Sequence, residues 1–153
     1  MSAALSLAAR PGHLRVLELC YRYAYLEGRC RLRRPLSADE AAELLLARKI
    51  VEGDESGAKR RAHRRFPVLL AATLKTPQGL RSAAVLNISA DGLFVGASSD
   101  VELGTTVQVR VDANGVEYVF TCKVVRSVRG KQFWGLGLAL CCVPLEMRHR
   151  RAA

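Results

Sequence analysis

The sequence predicts a mainly β protein, a six-stranded antiparallel β-barrel preceded by a small N-terminal helical hairpin. Two observations carry this prediction. Apolar residues recur at helical spacing up to residue 51, and from Phe66 onward they alternate with polar residues in short runs. Turn residues separate those runs at nearly regular intervals, a pattern that is typical of small closed barrels.

Two helices are predicted in the first part of the chain. An apolar stripe indicates a first helix over residues 14–27, which Gly28 is expected to end. Ser37 and Glu40 form the S-x-x-E capping box of a second helix, which Gly53 is expected to end. Because helices this short are marginal alone, we expect them to pair as a hairpin and to dock on the following domain or on a partner protein.

Six strands are predicted after the helices. The first two cover residues 66–76 and 80–88, and the third starts with residues 93–95. The last three cover residues 105–111, 116–128 and 133–140. Gly, Pro, Asn and Asp occupy the turns between them. Asn114-Gly115 is a strong hairpin signal, since Asn-Gly is a preferred two-residue turn between antiparallel strands.

The domain organisation follows from these elements. Residues 1–53 are the helical segment and residues 54–58 are a short polar linker. The β-barrel domain with its basic arm covers residues 59–145, and residues 146–153 are a basic tail. A turn of helix is expected within residues 144–151.

The positive charge belongs to the β-part of the chain. The formal net charge is +10; residues 1–57 hold 9 Lys and Arg against 8 Asp and Glu, whereas residues 58–153 hold 15 against 6. Residues 59–65, here called the basic arm, contain five Lys and Arg just before the first strand. An anionic partner such as a nucleotide, a nucleic acid or a membrane surface is therefore expected, with a solvated basic surface as the alternative.

Several function classes are disfavoured by the sequence. No run approaches the roughly 18 apolar residues that a membrane span needs, and the start lacks the features of a secretory signal. Five cysteines form no C-x-x-C pair, and their odd number favours a reduced, cytoplasmic protein. With three scattered histidines, no nucleophile–base pair and no clustered carboxylates, we expect no catalytic residue, no metal ligand and no cofactor.

Two short motifs stand out in the β-part. The basic arm contains R-x-x-x-R in two overlapping registers, formed by Arg60 with Arg64 and by Arg61 with Arg65. Residues 87–92, here called the motif turn, read N-x-S-x-x-G and run from the end of the second predicted strand to the start of the third. Each motif alone is a weak signal, because arginine clusters are usually solvated and turns commonly contain Asn, Ser, Asp and Gly.

In this order and context the two motifs resemble those of the PilZ domain family of bacterial cyclic di-GMP receptors. That family places an R-x-x-x-R arm before the first strand and a D/N-x-S-x-x-G turn after the second. The resemblance covers residues 59–145 and includes the Gly135-Leu136-Gly137 segment of the last strand. It implies a six-stranded PilZ-type barrel and a cytoplasmic, non-enzymatic receptor whose ligand is cyclic di-GMP.

The resemblance also implies which residues bind the ligand. They are Arg60, Arg61, Arg64, Arg65, Asn87, Ser89 and Gly92, with the arginine register left open. The chemistry agrees, because the planar guanidinium matches the O6 and N7 edge of guanine and can stack on a purine. Asn and Ser supply polar contacts, and Gly92 is expected to have a positive φ or to lie close to the ligand. We expect Asp91 to point away from the phosphates or to join the turn, and His63 to face solvent.

The predicted function is a receptor that changes the geometry of the arm and the helical segment on binding cyclic di-GMP and so signals to a partner protein. One alternative is a PilZ-fold interaction module without nucleotide binding. A second is a small basic barrel that binds RNA or single-stranded DNA, which an aromatic content of 6% disfavours. The output pathway, the protein partner, the oligomeric state and the number of bound ligands stay open.

Overall fold

The structure of the protein, a computed structural model, describes residues 11–52 and 63–148. The predicted linker at residues 54–58 lies outside the described residues, and so do two of the predicted ligand-binding arginines, Arg60 and Arg61.

Two helices come first, α1 (Pro11–Arg31) and α2 (Ala38–Val51). In the described chain they are followed by seven strands: β1 (Phe66–Thr76), β2 (Gly79–Ile88), β3 (Gly92–Ala97), β4 (Thr106–Ala113), β5 (Val116–Arg129), β6 (Trp134–Leu140) and β7 (Leu145–Arg148). Strands β1 to β6 are joined in the order β4-β1-β2-β3-β6-β5, and β5 pairs back with β4 to close an antiparallel barrel. The predicted mainly β fold with a six-stranded barrel and two N-terminal helices is confirmed.

Irregularities in strand pairing bend the barrel where the motif turn lies. The register shifts between Val85 and Asn87 in the β2–β3 pair, and between Val124 and Arg126 in the β5–β6 pair. Such bulges bend a strand and change which way the next side chain points. Asn87 and Arg126 each follow one of these shifts, and both side chains border the cavity described below.

The tail forms a strand and not the predicted turn of helix. β5 is longer than β6, which pairs with it only from Cys122 onward, so the start of β5 presents a free edge. β7 pairs antiparallel with that edge, with Val119 opposite Leu145 and Val116 opposite Arg148. An unpaired strand edge is a template on which a further segment can pair, and this accounts for the extended tail.

The prediction that Gly28 ends the first helix is wrong. α1 continues to Arg31, and Arg33 then adopts the left-handed conformation with a φ of 56°. A Cβ atom at Gly28 would lie 2.5 Å from Cγ2 of Val143, so glycine is needed here for close packing against the β6–β7 connection. By contrast, the capping box of Ser37 at the start of α2 is confirmed.

The two helices pair and dock on the barrel, which answers the docking question that the sequence left open. Arg22 and Arg29 of α1 form ion pairs of 2.7 Å and 2.6 Å with Glu43 and Glu40 of α2. Tyr21 of α1 lies in the barrel core, its ring centroid 4.9 Å from that of Tyr118. In the described part of the chain, neither helix is long and apolar enough to span a membrane.

Candidate ligand-binding site

A cavity of about 240 Å³, here called the site cavity, opens at the barrel surface beside the motif turn. Its lining comes from strands β2, β3, β5 and β6, from the motif turn, and from Arg65, the residue just before β1. Four of the seven predicted ligand-binding residues line it: Arg65, Asn87, Ser89 and Gly92. These residues come from two segments that are separated by a complete strand-turn-strand unit, and the antiparallel pairing of β1 with β2 brings them together.

The motif turn is closed by its own hydrogen bonds. The backbone N–H of Ser89 donates to the carbonyl of Gly92 at 2.9 Å, and the Ser89 hydroxyl donates to Oδ1 of Asp91 at 2.6 Å. Ser89 is almost fully buried, at 9% exposure. Through its bond to Asp91, the Ser89 hydroxyl holds the turn together. The expectation that Asp91 joins the turn is confirmed.

Gly92 allows β3 and β6 to approach each other closely. A Cβ atom on Gly92 would lie 2.3 Å from the carbonyl oxygen of Leu138, a separation that backbone atoms do not tolerate. The φ angle of Gly92 is not in the left-handed region, so of the two predicted alternatives the positive φ does not hold and the close approach to the ligand stays a prediction. The glycine of the motif is therefore explained by the packing of two strands at the edge of the site cavity.

The two described arginines of the basic arm lie in different environments. Arg65 borders the site cavity. The guanidinium of Arg64 lies 5.8 Å from the ring centroid of Phe66, and its backbone N–H donates to the carbonyl of Val51 at 2.7 Å. Successive side chains of an extended segment point in opposite directions, which accounts for the difference. Within the described arm, only Arg65 reaches the cavity.

The sequence did not indicate the aromatic residue and the second cation of the site cavity, Phe94 and Arg126. The Arg126 guanidinium lies 5.6 Å from the centroid of the Phe94 ring, in cation–π contact. Phe94 of β3 and Arg126 of β5 both pair with Gly137 of β6. A Cβ atom added to Gly137 would lie 3.1 Å from the Cβ atom of Arg126. No local signal identifies this pair, because it depends on the register of three strands and on the bulge before Arg126.

The charges around the site cavity are two guanidinium groups and one carboxylate. Burial acts to raise the pKa of Asp91, but the hydrogen bond from Ser89 and the nearby His63 outweigh it and hold that pKa below its ordinary value. His63 Nδ1 lies 3.5 Å from Oδ2 of Asp91, an ion-pair distance, and its ring packs edge-on against Tyr23. The expectation that His63 faces solvent is wrong, since this side chain is only 22% exposed.

This arrangement suits a planar, anionic ligand. Arg65 and Arg126 supply positive charge and planar hydrogen-bond donors, while Asn87 supplies an amide with both donor and acceptor groups. Over the described residues, no three His, Cys, Asp or Glu side chains are grouped so that they could hold a metal ion.

The sequence and the fold are similar to those of known proteins. The model of the PilZ domain matches residues 59–153. The fold is similar to the Bacillus subtilis inhibitor of motility, MotI/DgrA, with a TM-score of 0.47 and 15% identity over 54% of this chain and 43% of that chain. It is also similar to the PilZ domain of CeSA from a cellulose-synthesizing bacterium, with a TM-score of 0.42 and 19% identity over 50% of this chain and 79% of that chain.

The aligned region thus spans less than half of the MotI/DgrA chain, and no curated protein matches in sequence. The family match covers more than half of this chain and includes the basic arm, the motif turn and every strand of the barrel. The chain belongs to the PilZ domain family.

Proposed function

We propose that this protein is a non-enzymatic receptor for cyclic di-GMP, which binds at the site cavity and under the basic arm. The observation that carries the proposal is the convergence of Arg65 with the motif turn on one cavity. The two R-x-x-x-R registers of the arm supply further guanidinium groups just before it.

The ligand offers two guanines and two phosphates, and the described residues match both. A guanidinium fork fits the O6 and N7 acceptors of guanine, and Arg65 is placed to provide one. The Arg126 guanidinium lies over the Phe94 ring at the cavity, and we propose that a purine of the ligand stacks on this guanidinium. Asn87 can bond a guanine edge or a phosphate, whereas Ser89 serves mainly to hold the turn.

The size of the cavity sets how the ligand would lie. Cavities that enclose whole small molecules are about 300–1,000 Å³, and the site cavity is about 240 Å³. We therefore propose that it takes one guanine and that the rest of the dinucleotide lies on the barrel surface. There it would be covered by the arm, whose geometry would change on binding.

The position of Arg65 supports one of the two arm registers. Arg65 borders the cavity, while Arg64 lies over Phe66. We propose that Arg61 and Arg65 form the binding pair, and that Arg60 and Arg64 contribute general positive charge.

Calorimetric titration with cyclic di-GMP tests this proposal. Arg65→Ala should weaken binding by about tenfold or more, because a bidentate arginine–guanine contact is worth about 1–3 kcal/mol. Arg126→Ala should weaken it as well, through the lost stacking face. Arg64→Ala is the matched control, since it removes the same charge one residue away and should change the affinity by less than about threefold.

Three results would contradict the proposal. Absence of binding at high micromolar ligand would exclude cyclic di-GMP and favour a PilZ-fold interaction module. Equal small losses in the Arg64→Ala and Arg65→Ala variants would mean that only bulk charge acts. Tighter binding of single-stranded RNA, falling steeply with salt, would favour a nucleic-acid-binding barrel.

The signalling output is also part of the proposal. We propose that the receptor acts in the cytoplasm and passes the signal to a partner protein, through a change in how the helices and the arm sit on the barrel. α2 carries exposed Leu45, Leu46 and Ile50, at 58%, 64% and 46% exposure, which supports a role for this helix in contacting other molecules. A pull-down from bacterial lysate with and without cyclic di-GMP, compared between wild type and Arg65→Ala, tests this output.

A further inference from the structure

We infer that the helical hairpin α1–α2 is a positioning element of the ligand site, which holds the motif turn and the start of β1 in place together. The inference rests on the proposed function for its ligand, and on the described contacts for its mechanism. Its consequence is that the affinity for cyclic di-GMP depends on the docking of a hairpin that does not itself line the site cavity.

The first contact is between the motif turn and the apolar interior of the hairpin. Ala90, within the turn, is 7% exposed. It belongs to an apolar cluster, here called the hairpin cluster, that it forms with Tyr23 and Leu26 of α1 and with Leu44, Ala47 and Val51 of α2. The turn that borders the site cavity is thus seated on both helices.

The second contact is between the end of α2 and the chain that leads to Arg65. The carbonyl of Val51 accepts a hydrogen bond of 2.7 Å from the backbone N–H of Arg64, and Glu52 forms an antiparallel bridge with His63. Val51 itself is fully buried in the hairpin cluster. A shift of α2 would therefore move the backbone immediately before Arg65.

His63 connects the two contacts. Its backbone pairs with the end of α2, its ring packs on Tyr23 of α1, and its Nδ1 faces the Asp91 carboxylate of the motif turn at 3.5 Å. The Asp91 side chain is 66% exposed, and ion pairs open to solvent contribute little stability. The buried packing of Ala90 is therefore the stronger link, and the His63–Asp91 pair orients the turn.

Thermodynamic linkage makes the coupling reciprocal. If docking of the hairpin raises the affinity for the ligand, then bound ligand must stabilise the docked hairpin by the same factor. A signal could in this way reach the exposed face of α2 through the motif turn, without passing through the linker.

Two aspartate substitutions on one helix test the inference in the full-length protein. Leu44→Asp places a charge in the hairpin cluster, where Leu44 is 6% exposed, whereas Leu46→Asp places the same charge on the outer face, where Leu46 is 64% exposed. We expect Leu44→Asp to weaken cyclic di-GMP binding by about tenfold or more, and Leu46→Asp to leave it within about twofold. Hydrogen exchange should show that β1 to β5, and β6 up to Ala139, stay protected in both variants.

Two further readouts separate positioning from general destabilisation. Cyclic di-GMP should slow amide exchange in α2 of the wild type and should have a much smaller effect in Leu44→Asp. Without ligand, the amide of Leu140, which donates to the Asp91 carbonyl at 2.9 Å, should exchange faster in Leu44→Asp than in Leu46→Asp.

The outcomes distinguish this inference from the proposed function. An undocked α2 with unchanged ligand affinity would overturn the inference and leave the receptor function intact. If the wild type binds no cyclic di-GMP, the receptor function fails, and the Leu140 amide still tests the mechanical link; equal exchange in the two variants would overturn it. If Leu44→Asp unfolds the barrel, the milder Leu44→Ala takes its place in the same comparison.

Discussion

Substitution of Gly92 by alanine offers the most direct test of how the motif turn is built. The added Cβ would lie 2.3 Å from the carbonyl oxygen of Leu138, whereas real contacts of this kind are not shorter than 3.0 Å. One of the two strands must therefore move by roughly 0.7 Å. Because the obstacle is the backbone of β6, no side-chain rotation can remove it.

The magnitude follows from two opposing effects. Forcing an extra carbon into a packed interior costs about 1–3 kcal/mol, while alanine in place of glycine recovers about 0.5–1 kcal/mol of chain entropy. The difference is a loss of about 0–2.5 kcal/mol. Because the obstacle is backbone, we expect the Gly92→Ala variant in the upper part of this range, at about 1–2.5 kcal/mol of unfolding free energy, equivalent to a fall of about 2–10 °C in Tm for a protein of this size. Ligand binding should weaken as well, since β3 begins at this residue.

Gly96→Ala in the same strand is the matched control. The nearest atom to a Cβ at Gly96 is Cδ2 of Phe133 at 3.1 Å, which belongs to a 44% exposed side chain that can move aside. Urea unfolding of both variants should show a lowered midpoint with an unchanged slope for Gly92→Ala, and a midpoint close to wild type for Gly96→Ala. Equal stability of the two variants would refute the close-approach explanation of the motif glycine.

Two further predictions concern titration and thiol chemistry. Burial acts to raise the pKa of Asp91, but the hydrogen bond from Ser89 and the nearby His63 outweigh this effect, so the pKa of Asp91 in the folded protein is depressed. The stability that this depressed pKa contributes is present above the ordinary carboxyl pKa and is lost as the pH falls through the lowered pKa. Asp91→Asn should therefore lose less stability than wild type between pH 7 and about pH 3 in urea unfolding, and parallel losses would contradict this. Burial raises the pKa of Cys20 and Cys122 to about 12. A thiol reagent at neutral pH should therefore modify the three exposed cysteines before these two. Mass spectrometry after partial labelling measures the order, and early modification of Cys20 or Cys122 would contradict the prediction.

Elements whose determinants are neighbours in the chain could be predicted from the sequence. The capping box of Ser37 and Glu40 forms as expected, with both reciprocal hydrogen bonds present. Asn114 and Gly115 both have positive φ, at 53° and 83°, and join β4 to β5 in a tight hairpin. In each case a few adjacent residues contain all the information that the local structure needs.

Two details that involve distant contacts were predicted wrongly. Gly28 resembles a helix end in the sequence, yet it lies inside α1, where the missing side chain makes room for Val143. The tail resembles a turn of helix, yet it becomes β7, which pairs with the free edge at the start of β5. In both cases the contacting residue lies far along the chain, and nothing in the local residues indicates it.

The candidate site divides in the same way. The barrel class, the motif turn and the family could be predicted from the residues alone, because alternating strands and two short motifs are local patterns. Three features of the site depend on the folded chain: Arg65 and not Arg64 borders the cavity, Arg126 joins it after a bulge, and Ala90 packs in the helical hairpin. Strand register and helix docking set these contacts, and both are fixed by the packing of the whole core and not by any short stretch of residues.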